Sequence, residues 1–289
     1  KFELSAVDEM LGLISSDAFP PLGNVADIEA ELKGISLGGS MIAPSELLSV
    51  RKALESMKEL DAYFSSLKDE SGNSRVKMLA SIASGIMTFP ELCRIIDRVL
   101  DRYGNVKDSA SAELADLRRK INSMSGAVNA AMRRVMTNAL KEGIIAADAS
   151  PSVRDGRLVI PVAPMNKRRL SGIVHDESAS GKTVYIEPAE VVEANNRLRE
   201  LQMEERREIA RIISSVCAEI RPYTEEIARS NSVVGEIDFI NAKALYARSI
   251  EACMPSIHAE PELEWYHACH PVLKESLEKQ GKEIVPLYI

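Results

Sequence analysis

Apolar residues recur at alternating steps of three and four in two long stretches, which is the spacing of a heptad seam. In residues 108–147 the seam contains Leu114, Leu117, Ile121, Met124, Val128, Ala131 and Val135. In residues 189–230 it contains Val191, Leu198, Leu201, Ile209, Ile212, Val216, Ile220, Tyr223 and Ile227. Each helix would be roughly 60 Å long, and neither can bury its stripe alone. We therefore predict an antiparallel coiled-coil arm, with a kink at Pro222 near the end of the second helix.

The segment between the two seams loses the helical period and predicts strands. Runs rich in β-branched residues, bounded by Gly, Pro, Asp or Ser, occupy 157–162 (RLVIPV), 172–177 (GIVHDE) and 182–188 (KTVYIEP). Pro161 has no N–H to donate, so its strand is expected to lie at an edge or a bulge. A small β element is thus predicted at the tip of the arm.

Shorter helical patterns precede and follow the arm. Asn24 is expected to cap a helix over Val25–Leu32, Pro44 to open a helix of about six turns, and Gly104 to end a helix over Glu91–Tyr103. Further helices are expected near residues 6–14, 76–86 and 236–251. The predicted fold class is mainly α, with a helical core bundle, a long antiparallel two-helix arm and a small β-rich tip.

The composition limits the classes of function. The 289 residues are 45% hydrophobic and only 4% aromatic, which favours helices over a β-sandwich or barrel. A net charge of −7 gives no global attraction for nucleic acid, so such a site must be a local patch. The four cysteines lack paired spacing, and no secretory signal or membrane-length apolar run is visible, which predicts a cytoplasmic protein without a membrane partner. The chain stops within the apolar run EIVPLYI, which is typical of a piece of a longer protein.

The tripeptide Gly181-Lys182-Thr183 is the end of a nucleotide-binding P-loop motif. A P-loop also needs a glycine at position 176, where this chain has Asp176, and a helix after the threonine, where this chain has β-branched residues. We therefore predict a hairpin turn over Ser178–Gly181 and no ATP site in this chain.

The histidines offer two weaker candidates for chemistry. The run His267-Ala-Cys269-His270, with His258 upstream, contains ligands that zinc prefers but lacks the tidy pairs of a zinc site. His175 has no serine or aspartate partner at a fixed spacing, so a structural, hydrogen-bonded histidine is expected. No metal site and no catalytic residue are predicted.

Cations are concentrated in the predicted β tip. Residues 151–188 carry six cations against four carboxylates, a local balance of +2. Cations on an exposed loop can displace counterions from a phosphate backbone. The candidate nucleic-acid-binding residues are Arg154, Lys167, Arg168, Arg169 and Lys182.

The segment GIVHDESASGKTVYIEP, followed by VVEANN and LREL, resembles the signature of the second bacterial MutS subfamily, whose members carry a C-terminal Smr nuclease domain. The matching residues are Gly172, Ile173, Val174, His175, Asp176, Ser178, Ser180, Gly181, Thr183, Glu187, Pro188, Asn195, Asn196, Leu198, Arg199, Glu200 and Leu201. Lys182 occupies a variable position of that pattern. The resemblance covers essentially the whole chain and is specific over about 30 residues.

The resemblance implies a division of the chain. It assigns 1–105 to a helical core domain, 106–150 to an ascending lever helix, 151–188 to a β-rich clamp, 189–230 to a descending lever helix, and 231–289 to a return to the core. An ATPase domain, which would use ATP and Mg, and the Smr nuclease would follow outside this chain. This chain itself is expected to be non-catalytic and to hold no cofactor.

The resemblance also implies partners. The clamp would bind branched DNA, or the RNA of collided ribosomes, and the levers would couple that binding to ATP hydrolysis elsewhere in a homodimeric protein. Such a protein would act in DNA repair, suppression of recombination or ribosome rescue. The alternative is a structural arm that dimerises or closes a ring without contacting nucleic acid. A third hypothesis, ATP binding at 176–183, conflicts with Asp176.

Overall fold

The computed structural model describes residues 2–37, 42–67, 74–260 and 262–289. The helices in these ranges are α1 (Phe2–Ser15), α2 (Glu29–Ser36), α3 (Pro44–Ser66), α4 (Lys77–Ala83), α5 (Pro90–Val99), α6 (Ala112–Lys141), α7 (Ala189–Ile220), α8 (Thr224–Ser249) and α9 (Pro271–Glu278). The strands are β1 (Ser152–Arg154), β2 (Arg157–Val162), β3 (Gly172–Glu177) and β4 (Val184–Pro188). The prediction of a mainly α fold with a small β element is confirmed. No helix among the described residues is long and apolar enough to cross a membrane.

The chain separates into two compact units. Unit 1 comprises Lys1–Lys33, Ser49–Cys93 and Pro222–Ile289, and unit 2 comprises Gly34–Leu48 and Arg94–Arg221. The finer division into core, lever helices and clamp stays a prediction.

Unit 1 is built around α1, α4 and α8, which pack against one another. Their buried residues repeat at helical spacing, as in Met10, Ile14, Leu79, Ile237 and Ile240. The Glu9 carboxylate of α1 accepts hydrogen bonds from the backbone N–H groups of Met78 at 2.9 Å and Leu79 at 3.0 Å. A carboxylate there supplies acceptors for N–H groups that the first turn of α4 cannot pair internally.

Two helix boundaries near the beginning of the chain differ from prediction. Asn24 does not cap a helix: α2 begins at Glu29, whose N–H donates to the Asp27 side chain at 3.0 Å, and the Asn24 carbonyl accepts from Ser56 instead. Gly104 does not end α5, which stops at Val99. It lies in a turn with a φ of +86°, a conformation that favours glycine. The six-turn helix after Pro44 is confirmed, whereas the glycine-rich run that precedes it lies partly outside the described residues.

Unit 2 contains the predicted antiparallel pair, α6 and α7. The early part of α6 meets the late part of α7, since Ser111 and Arg118 contact Glu208 and Glu205, whereas its late residue Met132 shares a core with Val191. The Ser111 hydroxyl caps α6 by accepting from the Leu114 N–H at 3.0 Å. The seam is confirmed through Leu114, Leu117, Val128 and Val135, but near the C-terminal end Met132 and Ala139 are buried beside it. A straight helix drifts relative to a strict heptad, which accounts for that change.

Pro222 interrupts the second long helix, as predicted. α7 ends at Ile220, residues 221–223 form a 3-10 turn, and α8 begins at Thr224. A proline ring removes one backbone donor and clashes with the preceding turn. The separate helix expected from Glu236 is wrong, because α8 is continuous from Thr224 to Ser249 and tolerates Gly235 in its interior.

The strands of unit 2 form one antiparallel sheet in the order β1-β2-β4-β3. β1 was not predicted; it pairs with residues 157–159 through a two-residue turn at Asp155 and Gly156, both of which have positive φ. Pro161 pairs with Tyr185 of β4, and within the described part of the chain no strand lies on its other side. The edge position predicted for its strand is wrong, because β2 lies between β1 and β4; Pro161 is tolerated there because β1 pairs only with residues 157–159.

Candidate functional site

The sheet is fixed to the helix pair by an apolar core. The cluster contains Met132, Val135, Ala139, Ile144, Ile145, Ile160, Val162, Val184, Ile186 and Val191. Alternate residues of β2 and β4 point into it, while the C-terminal end of α6 and the beginning of α7 cover them. The tip is therefore packed onto the arm as part of the same unit.

A buried carboxylate lies on the other face of β4, behind this core. Glu187 is 0% exposed, and its carboxylate accepts from Arg157 Nη1 at 2.9 Å and from Asn195 Nδ2 at 2.7 Å. His175 Nε2 lies 2.6 Å from its other oxygen, Oε2. Arg157 Nη2 also donates to Asn196 Oδ1 at 2.7 Å. We call these five residues, Arg157, His175, Glu187, Asn195 and Asn196, the polar joint.

The polar joint keeps Glu187 ionised. Burial by itself raises the pKa of a carboxyl group, but hydrogen bonds from Asn195, His175 and Arg157 outweigh it and hold the pKa of Glu187 below its ordinary value. A buried charge with this many donors is stable where it is and costly to leave unpaired. The joint thus links three strands and the first turns of α7 through one carboxylate.

Local backbone features position the joint. β3 has an irregular register between Val174 and Asp176, so His175 is an extra residue in the ladder, on the strand that borders Glu187. Gly172 lies so close to β4 that a Cβ there would meet the Glu187 carbonyl oxygen at 2.1 Å. Glycine is therefore required at the start of β3. The expectation of a structural, hydrogen-bonded His175 is confirmed.

The Gly-Lys-Thr tripeptide lies in the β3–β4 hairpin turn that was predicted. Gly181 has a φ of +67°, its N–H donates to the Ser178 carbonyl at 2.7 Å, and the Ser178 hydroxyl accepts from the Thr183 N–H at 3.0 Å. The strand β4 follows at Val184, where a P-loop would continue into a helix. The chemistry of this turn is that of a chain reversal, with the Lys182 side chain exposed.

Two of the five candidate cations have acidic neighbours. Arg154 lies 3.4 Å from the Asp176 carboxylate, and its guanidinium stacks 4.3 Å from the centre of the Tyr185 ring. Lys167 lies 3.7 Å from Glu177, and both side chains are about half exposed. Solvent-exposed pairs at such distances contribute little to stability, so Lys167 remains open to exchange of its partner.

The other three candidates have no acidic partner among the described residues. Arg169 donates to the Glu142 carbonyl at 2.7 Å, and Asn166 donates to the Ile144 carbonyl at 2.9 Å, so the loop that carries them is docked on the end of α6. Arg168 and Lys182 are exposed. The site prediction itself stays a prediction, but these positions favour Arg168 and Lys182 as its least constrained members.

The far end of the helix pair has a second ionic cluster. Glu208 is 5% exposed, accepts from Ser111 Oγ at 2.6 Å, and pairs with Arg211 at 2.6 Å. The hydrogen bond from Arg211, aided by that from Ser111, lowers the pKa of Glu208 to about 2. Arg118 bridges Asp108 and Glu205 nearby. Glu208 is therefore a buried, paired carboxylate among the otherwise more exposed charges of this part of α7.

The HACH run is used for local structure. His267 Nδ1 lies 2.6 Å from the Tyr288 hydroxyl, and His270 caps α9, with its ring nitrogen 3.4 Å from the Leu273 N–H. Across the described ranges, no group of three His, Cys, Asp or Glu side chains is arranged to hold a metal ion. The four cysteines are free thiols.

The fold and site define a class: a mainly α-helical protein in which a paired-helix arm carries a small antiparallel sheet held by a buried polar joint. Comparison with known proteins identifies the family. No family model matches the chain. Endonuclease MutS2 of Leuconostoc citreum (strain KM20) is 32% identical over 257 residues, 89% of this chain and 32% of the relative.

Other relatives carry the same name. Endonuclease MutS2 of Geobacillus sp. (strain WCH70) is 31% identical over 270 residues, 93% of this chain and 34% of the relative. That of Halalkalibacterium halodurans is 34% identical over 269 residues, 93% of this chain and 33% of the relative. The chain belongs to the MutS2-like family and spans about one third of the length of the curated relatives it matches.

Proposed function

We propose that this chain is a non-catalytic binding and coupling region of a MutS2-like protein. In this proposal the sheet and its loops form a clamp that contacts the phosphate backbone of branched DNA or of ribosomal RNA in collided ribosomes. The helices α6 and α7 act as levers that couple the contact to ATP hydrolysis in another part of the protein. The name of the relatives, Endonuclease MutS2, supports an enzymatic whole protein.

The main support for the proposal is that one cation of the tip is paired with a buried carboxylate, whereas others are exposed and unpaired. Arg157 is committed to the buried Glu187, whereas Arg168 and Lys182 are exposed without an acidic partner in the described ranges. Exposed, unpaired cations release counterions when they meet a phosphate backbone. The tip offers Tyr185 as its one Phe, Tyr or Trp ring, and Arg154 already stacks on it, so the proposed contact is with the phosphate backbone and not with unpaired bases.

The coupling part of the proposal is supported by the rigidity of the connection. The sheet shares one core with α6 and α7, and the polar joint ties β4 to α7 within a few residues of the strand's end. A force applied at the tip is then transmitted to the helices as a rigid-body movement. The whole protein's ATPase with its Mg, its nuclease, its homodimer and its cytoplasmic location remain parts of the proposal.

A charge-reversal experiment tests the proposal. Arg168→Glu with Lys182→Glu should weaken binding of the chain to a DNA or RNA duplex and reduce the slope of log K against log salt by about 2. Glu142→Lys with Asp148→Lys changes the charge by four in the opposite sense in the segment between α6 and β1 and should strengthen binding. An affinity and a salt slope unchanged by the reversal would falsify the tip as a phosphate-binding site.

A second candidate function, a protein-binding arm, is favoured by exposed apolar side chains on the sheet. β3 is an edge strand of the described sheet, and Ile173 is 48% and Val174 36% exposed, while Met165 in the preceding loop is 87% exposed. Unpaired edge strands can accept another strand. Sedimentation of the chain across a range of concentrations tests it: dimers abolished by Ile173→Lys, with no shift on adding DNA or RNA, would favour this candidate over the first.

A further inference from the structure

The first long helix carries an unusual run of sequence. The 25 residues 117–141 contain no Asp or Glu, although the chain has 43 acidic residues in 289. The same run contains six cations, Arg118, Arg119, Lys120, Arg133, Arg134 and Lys141. In a chain with a net charge of −7, this is a strong local excess of positive charge.

The first three of these cations have acidic partners. Arg118 pairs with Glu205 at 2.8 Å, and Arg119 and Lys120 pair with Asp116 at 3.1 Å and 2.6 Å. They therefore contribute to the helix pair and to the first turns of α6. Their charge is compensated locally.

The last three cations differ. Arg133, Arg134 and Lys141 are exposed and have no acidic partner in the parts of the chain that the structure describes. Lys141 lies in the last turn of α6, where a cation stabilises the helix dipole. Arg133 and Arg134 lie about two turns earlier, too far from the helix end for that role.

The geometry of α6 gathers these side chains into one surface. Ala130, Arg133, Arg134, Thr137 and Asn138 line a shallow depression, and Lys141 follows Arg134 by seven residues on the same side of the helix. The opposite side of α6, with Met132, Val135 and Ala139, is buried against the sheet and α7. The cations therefore belong to the side of α6 that the unit leaves open.

This surface continues into the proposed site at the tip. Arg169 is anchored to the carbonyl of Glu142, the residue that follows Lys141. Arg168 is its neighbour in the same exposed loop. Lys141 of α6 and Arg169 of the loop thus lie at the same end of the helix.

We propose that the α6 surface formed by Arg133, Arg134, Thr137, Asn138 and Lys141 is a second contact for the sugar-phosphate backbone of a nucleic-acid duplex. The inference rests on the proposed function and extends it from the tip onto the helix. Arginine, lysine, threonine and asparagine side chains all hydrogen-bond phosphate oxygens. The surface has no aromatic ring on which an unpaired base could stack, so it fits the backbone of a duplex. DNA and RNA duplexes share this chemistry.

The partner helix provides a matched control. Residues 193–211 of α7 contain five arginines and five glutamates, so the charges there cancel. Arg199, Arg206 and Arg207 are exposed, as the α6 cations are. Replacing three cations with glutamine on either helix changes the net charge by the same amount, and glutamine preserves helix propensity.

The test is a salt titration of binding by the 289-residue chain to a 30-base-pair DNA duplex and to an RNA duplex of the same sequence. Arg133→Gln with Arg134→Gln and Lys141→Gln should weaken binding by about tenfold or more at low salt and lower the salt slope by about 3. Arg199→Gln with Arg206→Gln and Arg207→Gln should change the affinity less than about threefold. Arg133→Lys with Arg134→Lys should bind as the wild type does, because phosphate contacts accept either cation.

The outcomes are distinguishable from those for the tip. Equal losses in the α6 and α7 variants would overturn the α6 surface, since only the net charge would then matter. The α6 glutamine variant could bind as tightly as the wild type while Arg168→Glu with Lys182→Glu weakens binding. That result would overturn the α6 surface and retain the tip as a binding site. A wild-type chain that binds neither duplex at low salt would overturn both. If the α6 variant loses affinity for only one of the two duplexes, the result supports the α6 surface and shows which nucleic acid it binds.

Discussion

The sheet of unit 2 holds its charges in two contrasting ways. At the polar joint, Arg157 and His175 surround a carboxylate that is 0% exposed, and every partner is within 2.9 Å. On the exposed loops, Arg168 and Lys182 lie in solvent, and Lys167 is 3.7 Å from its acidic neighbour. Opposite charges that are buried together fix the structure, whereas cations left in solvent are free to exchange water and counterions for a ligand. The contrast therefore separates residues that hold the tip from residues that are proposed to bind.

The largest effect is expected at the centre of the joint. Glu187→Ala would leave the largely buried Arg157 guanidinium, 17% exposed, without its carboxylate and remove the acceptor of Asn195, so we expect the free energy of unfolding to fall by about 3–5 kcal/mol. Urea denaturation measures it. Glu177→Ala, in the neighbouring strand but paired only at 3.7 Å in solvent, is the control and should cost less than about 1 kcal/mol. Equal losses of stability in the two variants would contradict the difference between the buried and the exposed carboxylate.

Two glycines should respond in opposite directions. A Cβ at Gly172 would lie 2.1 Å from a backbone oxygen of β4, so Gly172→Ala must separate the strands and should destabilise the unit by about 2 kcal/mol or more. Gly126 lies inside α6 with nothing within 4 Å of its added Cβ, so Gly126→Ala should stabilise by about 0.5–1 kcal/mol. Thermal melting of both variants checks the signs, and a stabilising Gly172→Ala would refute the close approach.

Acid should weaken the helix pair through Glu208. Its pKa is about 2 in the folded chain against an ordinary value of 4.5, so the unfolded state binds the proton more readily. The stability that Glu208 contributes is therefore complete above about pH 4.5 and is lost as the pH falls toward 2. Glu208→Gln should make the loss of stability over that range shallower than in the wild type, as measured by urea denaturation at several pH values. If the stability of the two proteins fell in parallel with pH, the Glu208 carboxylate would not have the lowered pKa.

The smallest effect on stability is expected at the exposed cations. Arg168→Gln and Lys182→Gln remove no hydrogen bond or ion pair in the described part of the chain, so each should change the free energy of unfolding by less than about 0.5 kcal/mol. Arg157→Gln, which strips Glu187 of its cation, is the matched substitution inside the joint and should cost several times more. A large loss at Arg168 would mean that it is structural.

Periodicity was sufficient to predict the arm and most of the sheet. Residues 157–162 and 172–177 are strands as predicted, because short β-branched runs that are bounded by Gly, Pro, Asp or Ser favour a strand over a helix. The strand β1 was missed, although Asp155-Gly156 is a two-residue hairpin signal. Its three residues were too short to show an alternating pattern. The break at Pro222 was predictable from one residue, whereas the continuity of α8 depends on packing within unit 1.

The polar joint could not be derived from spacing. Arg157 is separated from Glu187 by 30 residues, and only the folded register brings them together. The signal that pointed to it was the resemblance, since His175, Glu187, Asn195 and Asn196 all belong to the matching pattern. Charge counting also grouped Arg157 with the other cations of the tip, although its charge is neutralised inside the joint. The sequence located the charged tip, and the structure separates its cations into Arg157, which is paired in the joint, and exposed side chains such as Arg168 and Lys182.

The central claim is that cations left unpaired at the tip bind a phosphate backbone while the joint only holds the sheet. The most direct measurement is the salt dependence of duplex binding by the wild-type chain and by Arg168→Glu with Lys182→Glu, with melting curves to verify folding. We predict an unchanged melting temperature, weaker binding, and a salt slope lower by about 2. An unchanged slope in the folded variant would contradict the account.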